Sequence, residues 1–134
     1  MSQENLDLVR SICAAWERGD YSSAVWADPD IEFVNTGGPS PGTWSGPAGM
    51  AEGWRDWLAA WEDFRQEVHE YRELDDERVL VFFRFSGRGR TSGLDLAEMH
   101  PLGAGLFHVR DGKVTRFIGY LDHERALEAE GLRE

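Results

Sequence analysis

The stretch DLAEMHP, residues 95–101, carries the side chains best suited to acid/base chemistry. Side chains alternate along a β-strand, so Glu98 and His100 share a face if this stretch is a regular strand. A histidine beside a carboxylate can move a proton near neutral pH, and this pair is therefore the candidate catalytic acid and base. The alternative is that His100 is a polar residue at a β-bulge, because Gly103 and Gly105 follow it and favour irregular backbone.

The other residues that could do chemistry form no recognisable site. The four histidines have no metal-site spacing and the chain has no glycine-rich phosphate loop, so we expect neither a metal nor a cofactor. Cys13 falls on the apolar face of a predicted helix, which indicates a small buried hydrophobe. Asp122 is interpreted as the N-cap of a closing helix. His69, His108 and His123 are expected at the surface.

A second prominent feature is a row of tryptophans. Trp54, Trp57 and Trp61 are three of the six tryptophans in the chain, and with Met50 they recur at the spacing of one helical face. The pattern predicts a helix that begins near Pro47 and ends near residue 62. Such a bulky stripe covers either a plain core or the wall of a ligand pocket, and both interpretations stay open. Trp54, nearest the preceding loop, is favoured as a pocket residue.

Composition limits the class of protein. At 134 residues the chain has the size of a single domain, 1–134, with one sizeable core. Its longest apolar runs are far shorter than the ~20 residues of a membrane span, and a net charge of −11 would repel a nucleic-acid backbone. We therefore expect neither a membrane nor a nucleic acid as a partner. The polar N-terminal stretch and the single cysteine predict a cytoplasmic location.

The elements that would position these side chains can be read from periodicity. Helical spacing predicts a first helix over 3–18, and Asp20 can cap a short second helix that ends near Trp26. A short strand at 31–35 and a loop rich in Gly and Pro at 36–47 precede the tryptophan helix. Beyond it, four long segments rich in β-formers predict antiparallel strands: 64–74, 78–90, 94–110 and 113–122.

The segment RVLVFFRF, residues 78–85, is apolar on both of its alternating faces. A strand of this kind is usually covered on both sides, and the predicted helices can cover only one. We therefore expect a homodimer formed through the outer sheet face, with Leu80, Phe82 and Arg84 in the interface.

The order of elements resembles the cone-shaped fold of the nuclear transport factor 2-like superfamily. The ending FHVRDGKVTRFIGYLDHERALEAEGL, 107–132, is similar to the C-terminal signature of its SnoaL-like branch, and WERGDYSSAVWADPDIEFV, 16–34, to its opening. The resemblance implies an α+β domain in which a curved antiparallel sheet of four long strands and one short strand wraps around three helices, with a short C-terminal helix. Its members include polyketide cyclases, ketosteroid isomerases, epoxide hydrolases, dehydratases and binding modules, so the fold alone does not fix an activity.

The catalytic patterns of two relatives can be laid on this chain residue by residue. The ketosteroid-isomerase pattern needs a carboxylate base, a tyrosine and a protonated aspartate, and the epoxide-hydrolase pattern needs an Arg–Asp pair and a second aspartate. The corresponding positions hold Ile12, Asn35 and Gly105 for the first pattern, and Phe83, Phe85 and Gly119 for the second. Both patterns therefore fail.

These observations lead to one main hypothesis and one alternative. The main hypothesis is a SnoaL-like protein of unassigned activity that binds a small apolar or aromatic molecule in the pocket, with the presence or absence of catalysis left open. The expected ligand-binding residues are Trp26, Phe33, Asn35, Trp54, Trp57, Phe83, Phe85 and Phe107. The alternative is a cofactor-free polyketide cyclase or isomerase-type enzyme that uses His100 and Glu98 as its acid/base pair.

Overall fold

The computed structural model describes residues 2–38 and 41–132. Positions 39 and 40 of the predicted loop and the outermost ends of the predicted domain lie outside this description. The elements in chain order are α1 (Ser2–Glu17), β1 (Ala27–Asn35), β2 (Gly42–Ser45), α2 (Gly46–Ala59), β3 (Trp61–Glu73), β4 (Arg78–Gly89), α3 (Leu96–Met99), β5 (Gly103–Arg110), β6 (Lys113–Tyr120) and α4 (His123–Ala129).

The strands form one curved sheet in the order β2-β1-β6-β5-β4-β3. Neighbouring strands are antiparallel except β1 and β6, which pair in parallel. The predicted tight hairpin joins β5 to β6, where Asp111 and Gly112 have φ of 53° and 75°. The α+β architecture predicted from the sequence is confirmed, with six strands rather than five.

Helices α1 and α2 pack on one face of this sheet, here called the inner face. Helix α1 buries Val9, Ile12, Cys13 and Trp16, at the helical spacing read from the sequence. Trp16 lies at the centre, and its ring is within 6.4 Å, centroid to centroid, of six other aromatic rings: those of Tyr21, Trp26, Trp54, Phe83, Phe107 and Phe117. The core on the inner face is therefore largely aromatic.

Three local predictions are wrong. No helix forms between Asp20 and Trp26, because the Asp20 carboxylate accepts hydrogen bonds from the backbone and hydroxyl of Ser22 in a tight turn. The stretch predicted as a loop contains β2, in which Trp44 pairs with Phe33 of β1. The tryptophan helix ends at Ala59, so Trp61 is the first residue of β3 rather than part of the helix.

Helix α4 packs on the opposite, outer face of the sheet. Leu80 and Phe82 are 0% and 4% exposed in the single chain, in one cluster with Ala126 and Leu127 of α4. The premise that the helices cover only one face of the sheet is therefore wrong; Arg84 is exposed. A homodimer through this face stays a prediction.

Within residues 2–38 and 41–132, no helix combines the length and the hydrophobicity needed to cross a bilayer.

Candidate functional site

A cavity lies on the inner face, where α2 approaches the sheet. Its volume is about 40 Å³, and it is open to solvent on one side. Every strand except β2 contributes to its wall. The lining residues are Phe33, Asn35, Trp54, Trp57, Phe64, Gln66, Phe83, Phe85, Ala104, Phe117, Gly119, Tyr120 and Leu121.

Glycines on β5 make room for the rings of this wall. A Cβ atom on Gly103 would lie 1.9 Å from Cε2 of Phe85, and a Cβ atom on Gly105 would lie 2.6 Å from Cε1 of Phe117. Contacts this short are forbidden between heavy atoms, so the two rings occupy the space that side chains at these positions would need. The aromatic wall and the glycines therefore depend on each other.

The cavity is small because aromatic rings fill most of the inner face. An apolar cavity of about 150 Å³ is needed to hold benzene, whereas one water needs only about 10–15 Å³. At about 40 Å³ the cavity has room for a few water-sized groups. A ligand that contains a ring can enter only if one of the lining rings moves.

Phe64 is the lining ring that is held least firmly. The side chains of Phe83 and Phe85 are 1% and 8% exposed, whereas Phe64 is only partly buried. Its ring packs on Trp57 and Phe85, at centroid distances of 5.6 and 5.7 Å. Phe64 also lies in a β-bulge, since two residues of β3 face the single residue Gly87 of β4.

The polar side-chain groups of the lining residues include two amides, the Tyr120 hydroxyl and the indole N–H of Trp54. That indole N–H is buried and has no hydrogen-bond partner in the described part of the chain. Asn35 lies on β1, and its Oδ1 atom would be 3.3 Å from a Cβ atom on Gly119. Gln66 lies on β3, is 4% exposed, and donates a hydrogen bond from Nε2 to the Tyr21 hydroxyl over 3.3 Å. Burial raises the pKa of Tyr21, so its hydroxyl stays protonated at neutral pH.

No group suited to proton transfer near pH 7 lines the cavity among the described residues. The lining contains no Asp, Glu, His, Lys or Cys, and its one titratable group, Tyr120, has a pKa that burial raises above the ordinary tyrosine value. Amides hydrogen-bond but do not take up protons at neutral pH. The arrangement can therefore hold and orient a molecule, but its described lining does not supply a general base.

Six of the eight expected ligand-binding residues line the cavity: Phe33, Asn35, Trp54, Trp57, Phe83 and Phe85. Trp26 and Phe107 do not line it; both pack against Trp16, at centroid distances of 6.1 and 5.6 Å. The sequence pattern does not distinguish residues that fill the core from residues that line the cavity.

The expected acid/base pair is not placed as predicted. Residues Leu96–Met99 form the short helix α3 instead of a strand, because the Asp95 carboxylate accepts hydrogen bonds from the backbone N–H groups of Ala97 and Glu98. Glu98 is exposed, and His100 is the residue at which α3 ends. Neither side chain lines the cavity. The predicted shared strand face is therefore wrong, and a catalytic role for the pair stays a prediction.

Sequence reasoning missed Phe64, Gln66 and Phe117 as cavity residues. A signal for the first two was present, since Phe64, Gln66 and Val68 alternate along one strand and Val68 packs against the inner core. Phe117 alternates in the same way with Gly119, and Gly119 corresponds to a catalytic position of the epoxide-hydrolase pattern, so its face was a signal for the cavity.

Outside the cavity, Arg78 pairs with Asp75 and Glu130 over 2.8 Å each. In the part of the chain that the structure describes, no three His, Cys, Asp or Glu side chains are grouped so that they could hold a metal ion. Cys13 is buried, and this burial raises the pKa of its thiol far above the ordinary value, as expected for an inert side chain.

Comparison with known proteins identifies the family. The family model of the SnoaL-like domain matches residues 9–117. No curated protein matches the sequence at a significant level. Several solved structures are similar to this chain. One is an NTF2-like protein from Burkholderia thailandensis, with a TM-score of 0.74 and 21% sequence identity; the match covers 92% of this chain and 95% of that chain.

Two further structures are similar over nearly their whole length. A candidate polyketide cyclase from Xanthomonas campestris pv. campestris has a TM-score of 0.66 and 20% identity, covering 95% of this chain and 96% of that one. TerC, co-crystallised with polyporic acid, has a TM-score of 0.67 and 25% identity, covering 93% and 96%. Since the family model spans most of the described elements, from α1 into β6, the chain belongs to the SnoaL-like domain family.

Proposed function

We propose that this protein binds a small planar aromatic molecule in the cavity of the inner face and does so without acid/base catalysis. The observation that carries the proposal is the make-up of the lining: seven aromatic rings from Phe and Trp, two amides, and no described side chain suited to proton transfer near pH 7. Ring walls of this kind offer stacked and edge-to-face contacts to a flat ligand.

The geometry of the rings supports a flat ligand over a bulky one. Phe83 and Phe85 are stacked with an interplanar angle of 12° and a centroid distance of 6.0 Å, and Phe33 and Phe117 are stacked at 19° and 5.4 Å. A third ring that enters beside either pair gains about 0.5–1.5 kcal/mol per aromatic contact beyond the burial of its surface. A few such contacts and the buried area are consistent with micromolar affinity, about −8 kcal/mol.

The relatives favour the same ligand class. TerC was co-crystallised with polyporic acid, and a Xanthomonas neighbour is a candidate polyketide cyclase; these two likenesses support a small-molecule ligand for this chain. The cyclase alternative for this chain relies on Glu98 and His100. Their position outside the cavity gives that alternative no support from the geometry.

The direct experiment is a fluorescence titration with planar aromatic compounds. Trp54 and Trp57 line the cavity, so bound ligand is expected to change their emission. In Trp57→Phe, the ligand-induced change in emission is expected to be much smaller, although the variant still binds the ligand. Trp44→Phe is the matched control, because Trp44 on β2 does not line the cavity, and it should keep the full response. Unchanged wild-type emission across the panel, with no heat of binding by calorimetry, would contradict the proposal.

A further inference from the structure

Gln66 is the one buried residue with an amide or charged side chain in residues 2–38 and 41–132. It lies on β3 opposite Phe85 of β4, among aromatic rings, and is 4% exposed. Burying an amide is costly unless its hydrogen-bonding groups find partners. Its presence in an otherwise aromatic wall therefore needs a reason.

The intramolecular contacts of Gln66 satisfy only part of its amide. Its Nε2 atom donates to the Tyr21 hydroxyl over 3.3 Å, a distance beyond the usual range for an N–H···O bond. No side chain or backbone group in the described part of the chain donates a hydrogen bond to its carbonyl oxygen, Oε1. An amide carbonyl has two acceptor sites, so Gln66 offers an acceptor at the cavity wall.

Tyr21 determines which end of the amide is available. Its hydroxyl accepts from Nε2, and its ring packs between Trp16 and Trp54, at centroid distances of 6.3 and 4.4 Å. Because the Tyr21 ring is held on both sides, the Nε2 end of Gln66 is tied to Tyr21. The Oε1 end is left for a group that donates a hydrogen bond.

We infer that Gln66 selects aromatic ligands that carry a hydroxyl group, by accepting the ligand O–H at Oε1. This rests on the proposed function, and it adds the chemical class: phenol-type or enol-type ring hydroxyls are preferred over the same ring with a methyl group. A site that buries an acceptor rejects the methyl analogue, since that analogue would leave the carbonyl desolvated and unpaired.

The test compares two probes of nearly equal shape, 2-naphthol and 2-methylnaphthalene, by titration calorimetry on the full chain. The measured quantity is the ratio of the dissociation constant of the methyl compound to that of the hydroxyl compound. In Gln66→Met, an unbranched apolar replacement of similar size, we expect this ratio to fall about tenfold or more. Asn35→Leu, which alters the other amide of the wall, is the matched control and is expected to leave the ratio within about threefold of wild type.

Tyr21→Phe provides an independent arm if Gln66→Met does not fold. Without the hydroxyl that holds Nε2, the amide can turn and present either end, so the preference for the hydroxyl probe is expected to weaken by several-fold. An unchanged ratio in both Gln66→Met and Tyr21→Phe, or a collapse of the ratio in Asn35→Leu instead, would overturn the inference while leaving aromatic binding intact. Failure of both probes to bind wild-type protein would overturn the proposed function and this inference with it.

Discussion

Replacing Phe64 by alanine is expected to convert the nearly filled inner face into a permanent aromatic-sized cavity. Phe64 is partly buried, packs on Trp57 and Phe85, and lies in the bulge of the edge strand β3. Removing its ring joins the vacated space to the existing cavity of about 40 Å³. We expect the enlarged cavity to reach the size of about 150 Å³ at which an apolar cavity binds benzene.

The cost in stability follows from partial burial. Truncation of a fully buried phenylalanine costs about 3–5 kcal/mol, so truncation of the partly buried Phe64 is expected to lower the free energy of unfolding by roughly 2–4 kcal/mol. Benzene at five times its dissociation constant is expected to restore about 1 kcal/mol to Phe64→Ala, because only the folded state binds it.

Urea unfolding with and without benzene measures both quantities. Phe82→Ala is the matched control, since Phe82 is 4% exposed on the outer face and does not line the cavity. It is expected to lose more stability than Phe64→Ala. The reasoning is refuted if benzene fails to stabilise Phe64→Ala, or if it stabilises Phe82→Ala and wild type to the same extent.

Four further outcomes are expected. Burial and the nearby Arg116 lower the pKa of His108 below its unfolded value of 6.5. The unfolded state therefore takes up a proton more readily than the folded state, and the free energy of unfolding falls as the pH drops through that value. In urea titrations, His108→Gln should lose less stability than wild type between about pH 7.5 and 5.5. Asp95→Ala removes the cap of α3 and should cost about 0.5–2 kcal/mol by the same method, with no change in ligand affinity. Gly103→Ala places a Cβ atom 1.9 Å from Cε2 of Phe85 and should cost about 1–3 kcal/mol in thermal or urea unfolding, through displacement of that ring. Sedimentation of wild type and of Arg84→Glu tests the homodimer. If the interface lies at the outer face, the dimer of Arg84→Glu should dissociate at a higher protein concentration than the wild-type dimer.

The parts of the fold that depend on local chemistry were predictable from the sequence. The apolar face of α1, the Asp-Gly hairpin and the Asp122 cap of α4 each require only neighbouring residues, and each is present. Four-residue β2 was not predictable, because its strand character comes from pairing with β1 rather than from its own Gly- and Pro-rich surroundings. The same holds for the start of β1, where Ala27 pairs with the distant Val114.

In the candidate site, too, features set by neighbouring residues were easier to predict than features set by the tertiary structure. Phe83 and Phe85 alternate along β4, and both line the cavity. Phe64 and Gln66 alternate in the same way along β3, but the charged residues of that strand concealed which of its faces meets the cavity. The Glu98–His100 hypothesis was wrong in its geometry because a capped helical turn and a regular strand compete for the same residues, and the Asp95 cap favours the turn.

On the inner face, the aromatic rings occupy the space beside the glycines of β5. This packing limits which substitutions could add a catalytic side chain there. In the ketosteroid-isomerase pattern, the position of Gly105 carries an acid. Here, an acid at that position would place its Cβ atom 2.6 Å from Phe117 and 3.2 Å from Phe83. A single Gly105→Asp substitution therefore displaces rings of the wall before it contributes a carboxylate. A path from this protein to an enzyme with its proton donor at position 105 therefore disturbs the aromatic wall in the same step that adds the acid, whereas an acid at position 35 would replace an amide of nearly the same shape.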